Sequence, residues 1–97
     1  MNMQAMLKQA QDMQKDMLKI KEEIDNTEFI GESSLVTVVL KGTKDLVSVK
    51  INADSLDSDD IEALQDMIVV AVNQANKKID DMMEKKMGKF GNIPGLF

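Results

Sequence analysis

The chain has 97 residues and a formal net charge of −5, from 17 acidic and 12 basic residues, every basic one a lysine. That is one domain's worth of polypeptide, and so short a chain buries too small a fraction of its surface to be comfortably stable without help. Cysteine and histidine are both absent, which excludes disulfides, thiolate nucleophiles, the common transition-metal sites and a side-chain base titrating near neutrality, and leaves a second chain as the helper.

Met1 to Lys8 carries no basic run followed by a long apolar core, and the longest apolar run, Met67 to Val72, is far shorter than the roughly 20 residues of a membrane span. The expectation is a cytoplasmic protein with no membrane partner.

From Met3 to about Asp25 the apolar residues Met3, Met6, Leu7, Ala10, Met13, Met17, Ile20 and Ile24 recur at helical, heptad-like spacing among good helix formers. No glycine or proline interrupts them, and Asn26 and Thr27 are placed to end the helix. Glu28 to Gly31 is a candidate short strand through Phe29 and Ile30. Leu35 to Lys41 is a valine-rich strand, Gly42 to Lys44 a turn, and Leu46 to Ile51 a further strand. In the last, Val47, Val49 and Ile51 alternate with Ser48 and Lys50, as in a sheet with one covered face. Strands joined by so short a turn are antiparallel.

Asn52 to Ser58 is polar, and Asp57 or Ser58 can cap the helix that follows. Asp59, Asp60 and Glu62 fall where a helix dipole favours acids. The second stripe runs through Ile61, Leu64, Met67/Ile68, Ala71/Val72, Ala75, Ile79 and Met82/Met83, with the helix continuing to Lys86. Met87 to Phe97 holds Gly88, Gly91, Pro94 and Gly95, with apolar beads at Phe90, Ile93, Leu96 and Phe97. The expected fold is α+β: a long N-terminal helix, a small antiparallel sheet of two or three strands, and a long C-terminal helix. Residues 1–86 form one domain and 87–97 a flexible tail.

The lengths do not match. Helices of roughly 23 and 28 residues are about 35 and 42 Å long, whereas a seven-residue strand extends only about 24 Å. Neither apolar stripe fades toward its far end, and each such side chain is worth about 1.5–3 kcal/mol when fully buried. A two-fold homodimer, the commonest oligomer, would shelter what the sheet cannot. Met6, Met13, Met17, Val47, Val49, Leu64, Ile68, Val72 and Ile79 form the candidate core and dimer stripe.

Catalytic chemistry is not supplied. None of Ser33, Ser34, Ser48, Ser55 and Ser58 has an activating neighbour, and there is no nucleophile elbow and no phosphate-cradling glycine loop. The acids Asp54, Asp57, Asp59, Asp60 and Glu62 lack the central glycine and twelfth-position glutamate of a calcium loop and read as helix capping and solvated surface. The expectation is a protein that is not an enzyme and uses no cofactor, metal or small-molecule substrate.

The lysines are more informative. Lys8, Lys15 and Lys19 share a flank of the first helix, interrupted by Asp12 and Asp16. From Ile51 to Asn76 there are acids but no lysine, whereas Lys77, Lys78, Lys85, Lys86 and Lys89 outnumber Asp80, Asp81 and Glu84 beyond it. Lysine can hold phosphate without reading sequence. Without arginine there is no planar fork for bidentate reading of guanine. Lysine at a helix C-terminus also serves the helix dipole with no ligand at all.

As a whole the chain resembles the YbaB/EbfC family of nucleoid-associated proteins. Asn2 to Glu23 is similar to the family's opening stretch of methionine, Lys-Gln-Ala-Gln and Met-Gln. Gly42 with Leu46 to Ile51 resembles its turn glycine and Val-x-x-Val-x-Ile strand. Leu64, Asp66, Met67, Ala71, Asn73 and Ala75 fit its Leu-x-Asp-Leu-x-x-x-Ala-x-Asn-x-Ala helix, and Gly88 with Ile93 to Phe97 resembles its Gly/Pro-rich tail. The resemblance implies a tweezer-like homodimer with projecting helices that grips duplex DNA with little or modest sequence preference. It implies Lys8, Lys15, Lys19, Lys77 and Lys78 as DNA contacts, to which the charge polarity adds Lys85 and Lys86. Two departures stand out: Glu32-Ser33-Ser34 replaces a glycine-rich loop, and Lys77 and Lys78 replace arginines, which implies weaker and more salt-dependent binding. The expected place of work is the nucleoid. A different class of function also fits the residues: an interaction module that docks another protein on exposed Met and Phe side chains.

Overall fold

The computed structural model describes residues 2–88. The elements are α1 (Met3–Asp25), β1 (Glu28–Ser33), β2 (Val36–Lys41), β3 (Leu46–Ile51), a 3-10 turn at Ser58–Asp60, and α2 (Ile61–Met87). This is the α-β-β-β-α order expected from the sequence, with three strands in antiparallel order β1-β2-β3.

Local chemistry sets the boundaries. The Asn2 side chain accepts from the Gln4 amide at 3.0 Å and opens α1. Asn26 and Thr27 end it: the Asn26 amide donates to Glu22 O at 3.0 Å, and the Thr27 hydroxyl to Glu23 O at 2.6 Å. At the start of the 3-10 turn, the Asp57 N–H donates to the Asp60 carboxylate at 3.0 Å. α2 runs one residue past the expected Lys86, to Met87, which is buried. The remainder of the expected tail, residues 89–97, lies outside the described residues.

Two strand boundaries differ from the sequence reading. β1 continues past Gly31 to Ser33, and Leu35 belongs to a turn rather than to β2. Ser33 pairs with Val36, so Ser34 and Leu35 alone close the hairpin, with Ser34 at φ 50. Pairing with β2 recruits polar residues that have little strand preference of their own, which is how a tertiary ladder overrides propensity. The glycine-free Glu32-Ser33-Ser34 stretch is thus strand and tight turn, not loop. In β3 a register irregularity beside Val39/Leu40 sets Leu46 opposite Leu40 and leaves Val47 without an opposite number, while Val49 and Ile51 face Val38 and Val36.

The core lies between one sheet face and α2. Val36, Val38 and Leu40 of β2 and Phe29 of β1 meet Ala71, Ala75 and Ile79, with Ile24 of α1 closing the end. Gly31 and Gly42 are close approaches. A Cβ on Gly31 would stand 1.9 Å from Ala71 O, and one on Gly42 would stand 1.8 Å from Ile24 O. α2 therefore lies directly on β1, and α1 ends against the β2–β3 turn.

α2 covers β1 and β2 but not β3, all six residues of which are exposed. α1 reaches the sheet only at its C-terminal end, and its buried residues are Met17 and Ile24. The radius of gyration is 19.3 Å, against about 13 Å for a compact chain of this length. The excess is the α1 arm together with the overhanging end of α2.

Candidate nucleic-acid interface

Successive residues of an α-helix turn by about 100°. On α1 that places Lys8, Lys15 and Lys19 within an arc of about 40°, opposite the stripe of Met6, Met13, Met17 and Ile24. Met17 and Ile24 are buried, so the lysine face points away from α2 and into solvent. Among the described residues, none of these three lysines forms an ion pair; the pairs are Lys21–Asp25, Lys44–Asp80 and Lys77–Asp81. Asp12 lies on the same flank and dilutes the positive field.

The lysines of α2 divide into two groups. Lys85 and Lys86 stand in the last turn, exposed and without ion pairs among the described residues. Lys77 and Lys78 are about 12 Å back along the helix, beside the sheet. Lys77 bonds Asp81 at 3.1 Å, an exposed i,i+4 pair. Lys78 donates to Ile30 O at 2.7 Å. Lys78 and Lys85 line one cleft with Phe29, Asp81 and Met82, while Lys8, Lys15 and Lys19 stand on α1.

Lys78 belongs to an arrangement that the sequence reading did not contain. Its neighbour one turn earlier, Gln74, accepts the Glu32 N–H through Oε1 at 2.7 Å. These two side chains of α2 occupy backbone groups on the free edge of β1. An unpaired strand edge is a template for another strand, and here one of the sheet's two edges is plugged from within. No local pattern marks this, because each partner lies more than 40 positions away.

The other edge is β3. Leu46, Val47, Val49 and Ile51 are exposed there, with Val49 at 40%. On α2, Leu64, Ile68 and Val72 pack against the core and are only half-buried. Of the candidate stripe, Met17 and Ile79 are consumed inside the chain's own core. Leu64, Ile68 and Val72 are shared between core and surface. Met6, Met13, Val47 and Val49 are open. Among the described residues no cluster of acids could hold a metal ion, and no helix is long and apolar enough to cross a membrane.

Comparison with known proteins sets this geometry in a family. A nucleoid-associated protein of Pelotomaculum thermopropionicum is 48% identical over 101 residues, covering 99% of this chain and 96% of its own length. One of Lactococcus lactis subsp. cremoris is 51% identical over 92 residues, 93% of each chain. The crystal structure of an uncharacterized protein from Helicobacter pylori superposes with a TM-score of 0.76 at 23% identity, over 95% of this chain and 99% of that one, and so shares the fold. The model of the YbaB/EbfC DNA-binding family matches residues 1–93, and the chain belongs to that family.

Proposed function

We propose that two copies of the chain form a homodimer that binds duplex DNA through lysine–phosphate contacts with little sequence preference, in the cytoplasm on the nucleoid. Residues 1–86 act as one DNA-binding domain. The protein is not an enzyme and needs no cofactor or small-molecule substrate. The observation that carries this reading is the α1 arm. About 14 residues of helix stand clear of the fold, with Lys8, Lys15 and Lys19 along the side turned away from the apolar stripe. A net charge of −5 does not oppose it, because fields from distant acids are screened beyond about 8 Å at physiological salt. The names of the relatives in Pelotomaculum and Lactococcus support the nucleoid as the place of work.

The homodimer is supported by the two unlike sheet edges. Gln74 and Lys78 occupy the edge of β1, whereas β3 offers a free ladder and an apolar flank that α2 does not cover. A second copy meeting the first along β3, and along Leu64, Ile68 and Val72, would bury this surface and leave both arms outward.

A mobility-shift titration between 50 and 200 mM salt tests the DNA reading. Three lysines per chain give six phosphate contacts per dimer, for which affinity falls by about 10³ over that range. Changing Lys8, Lys15 and Lys19 together to Gln flattens the log–log salt slope by about 5. Duplexes of unrelated sequence bind alike. Absence of a shift at 50 mM salt, or a triple variant with an unchanged slope, overturns the proposal.

A further inference from the structure

The apolar stripe of α1 keeps alternating steps of three and four along the whole helix, from Met3 through Met6, Ala10, Met13 and Met17 to Ile20 and Ile24. These are the a and d positions of a heptad, the spacing with which one helix seats along another. The inner part of this seam is served within the chain. Ile24 belongs to the core, Ile20 packs against it, Met17 is buried, and α1 and α2 are in contact. Outward of Met17 the seam continues without cover: Met13, Met6 and Met3 are 38%, 53% and 76% exposed.

The open part of the seam is complementary to itself. When two arms are set antiparallel with Met3 of one opposite Met13 of the other, Met6 falls opposite Ala10, and the same two layers recur in reverse order. Every layer then joins an a position to a d position, as antiparallel helix pairs require. Each long Met6 side chain meets a short Ala10, so no layer is overfilled, whereas a parallel pair in register would set Ala10 against Ala10 and leave a gap. The overlap also ends at the right place: the tip at Met3 reaches Met13, one seam position short of Met17, which is already buried. The flanks are free of repulsion. From Met3 to Gln14 the only charged residues are Lys8 and Asp12. Lys8 lies diametrically opposite the seam and Asp12 about 140° from its centre, so neither meets its like across the pair.

We propose that the uncovered seam of α1 docks the α1 arm of a further copy, antiparallel, with Met3 against Met13 and Met6 against Ala10, and so links one homodimer to another. The contact between arms stands by itself and does not depend on DNA binding. That it links dimers rests on the pairing along β3 proposed above, which turns both arms outward. Only Met3, Met6, Ala10 and Met13 of each arm meet, over about 15 Å of helix, which is well short of the roughly 1,200 Å² at the low end of stable interfaces. This is therefore the weaker of the two contacts, and it forms at high protein concentration. Methionine suits it, because an unbranched thioether fills an irregular gap with little strain. Packing also stiffens an arm whose isolated length is marginal for a helix in water. Lys8 and Lys15 remain on the outside of the pair.

The test exploits the absence of cysteine. Full-length chains carrying Met3→Cys or Met13→Cys hold a single thiol each and are treated, alone and mixed, with a short bismaleimide. In the antiparallel pair Met3 lies beside Met13 of the other arm, whereas two Met3 residues are about 15 Å apart along the axis, as are two Met13 residues. The mixture is expected to cross-link in several-fold higher yield than either variant alone, and the yield is expected to rise as the protein is concentrated from micromolar to millimolar. Met6→Glu/Met13→Glu, at exposed positions, is expected to keep the helical signal and to abolish the growth beyond a dimer that sedimentation velocity shows for the unaltered chain at millimolar concentration. With Val49→Asp added to both cysteine chains the cross-link is expected to persist, now joining two single chains, so that failure of the arms and failure of the β3 pairing are told apart. Equal yields in the three mixtures, a preferred link of Met3→Cys to itself, or a yield unchanged on dilution, which places the cover within one chain or one dimer, overturns the proposal.

Discussion

At the scale of single residues, the least conspicuous side chains carry the tightest constraints. Gly31 stands alone in the sequence, outside any glycine loop, and its purpose is visible only once Ala71 of α2 lies on top of it. A methyl group there meets helix backbone, which cannot swing aside as a side chain can. Gly31→Ala is expected to lower stability by about 3 kcal/mol, the upper part of the usual overpacking range, read as a shift of the urea midpoint with an unchanged slope. Lys78 teaches the converse. Its place in a lysine-rich stretch marks it as a phosphate contact, while its shortest contact is with the backbone of Ile30. A charge pattern reveals which residues are polar, but not which strand edge lies within reach. Replacing Lys77 and Lys78 together would therefore disturb an exposed ion pair of little energetic weight and a strand-edge cap at once.

At the scale of elements, both helices could be read from the chain because their stripes keep helical period for more than 20 residues, and Asn26 with Thr27 announced the end of α1. The Val-rich strands could be read for the analogous reason of period two. What local pattern could not give was the extension of β1 through Glu32 and Ser33, which exists because β2 pairs with it. Nor could it show that α2 covers two strands and stops, leaving Val49 and Ile51 alternating correctly yet unburied. The β1 edge supplies a prediction of its own. Gln74→Ala removes the acceptor for the Glu32 N–H, a bond worth about 1 kcal/mol, so that amide should exchange about fivefold faster while amides of the β2–β3 ladder keep their protection. An unchanged Glu32 rate would mean that the Gln74 contact contributes nothing to guarding the edge.

At the scale of the whole molecule, the elongated shape and the open β3 edge bear on the same question. An arm carrying three lysines is a weak ligand for DNA. Two arms held by one body are stronger, because the second engages at the effective concentration set by the first. Dimer formation and salt dependence should therefore fail together. Val49 offers a clean way to separate folding from pairing, since it is 40% exposed in the single chain and takes no part in the core. Val49→Asp is expected to leave the helical signal and thermal midpoint of the folded chain almost unaltered, yet to give a monomer by sedimentation equilibrium at low micromolar concentration. Its DNA affinity should drop, and the salt slope should halve from about 5 toward about 3 as six phosphate contacts become three. A variant that stays dimeric would move the pairing surface away from β3. A monomer with the full slope would mean that one arm alone neutralises all the phosphates, and that the paired architecture has no part in the grip.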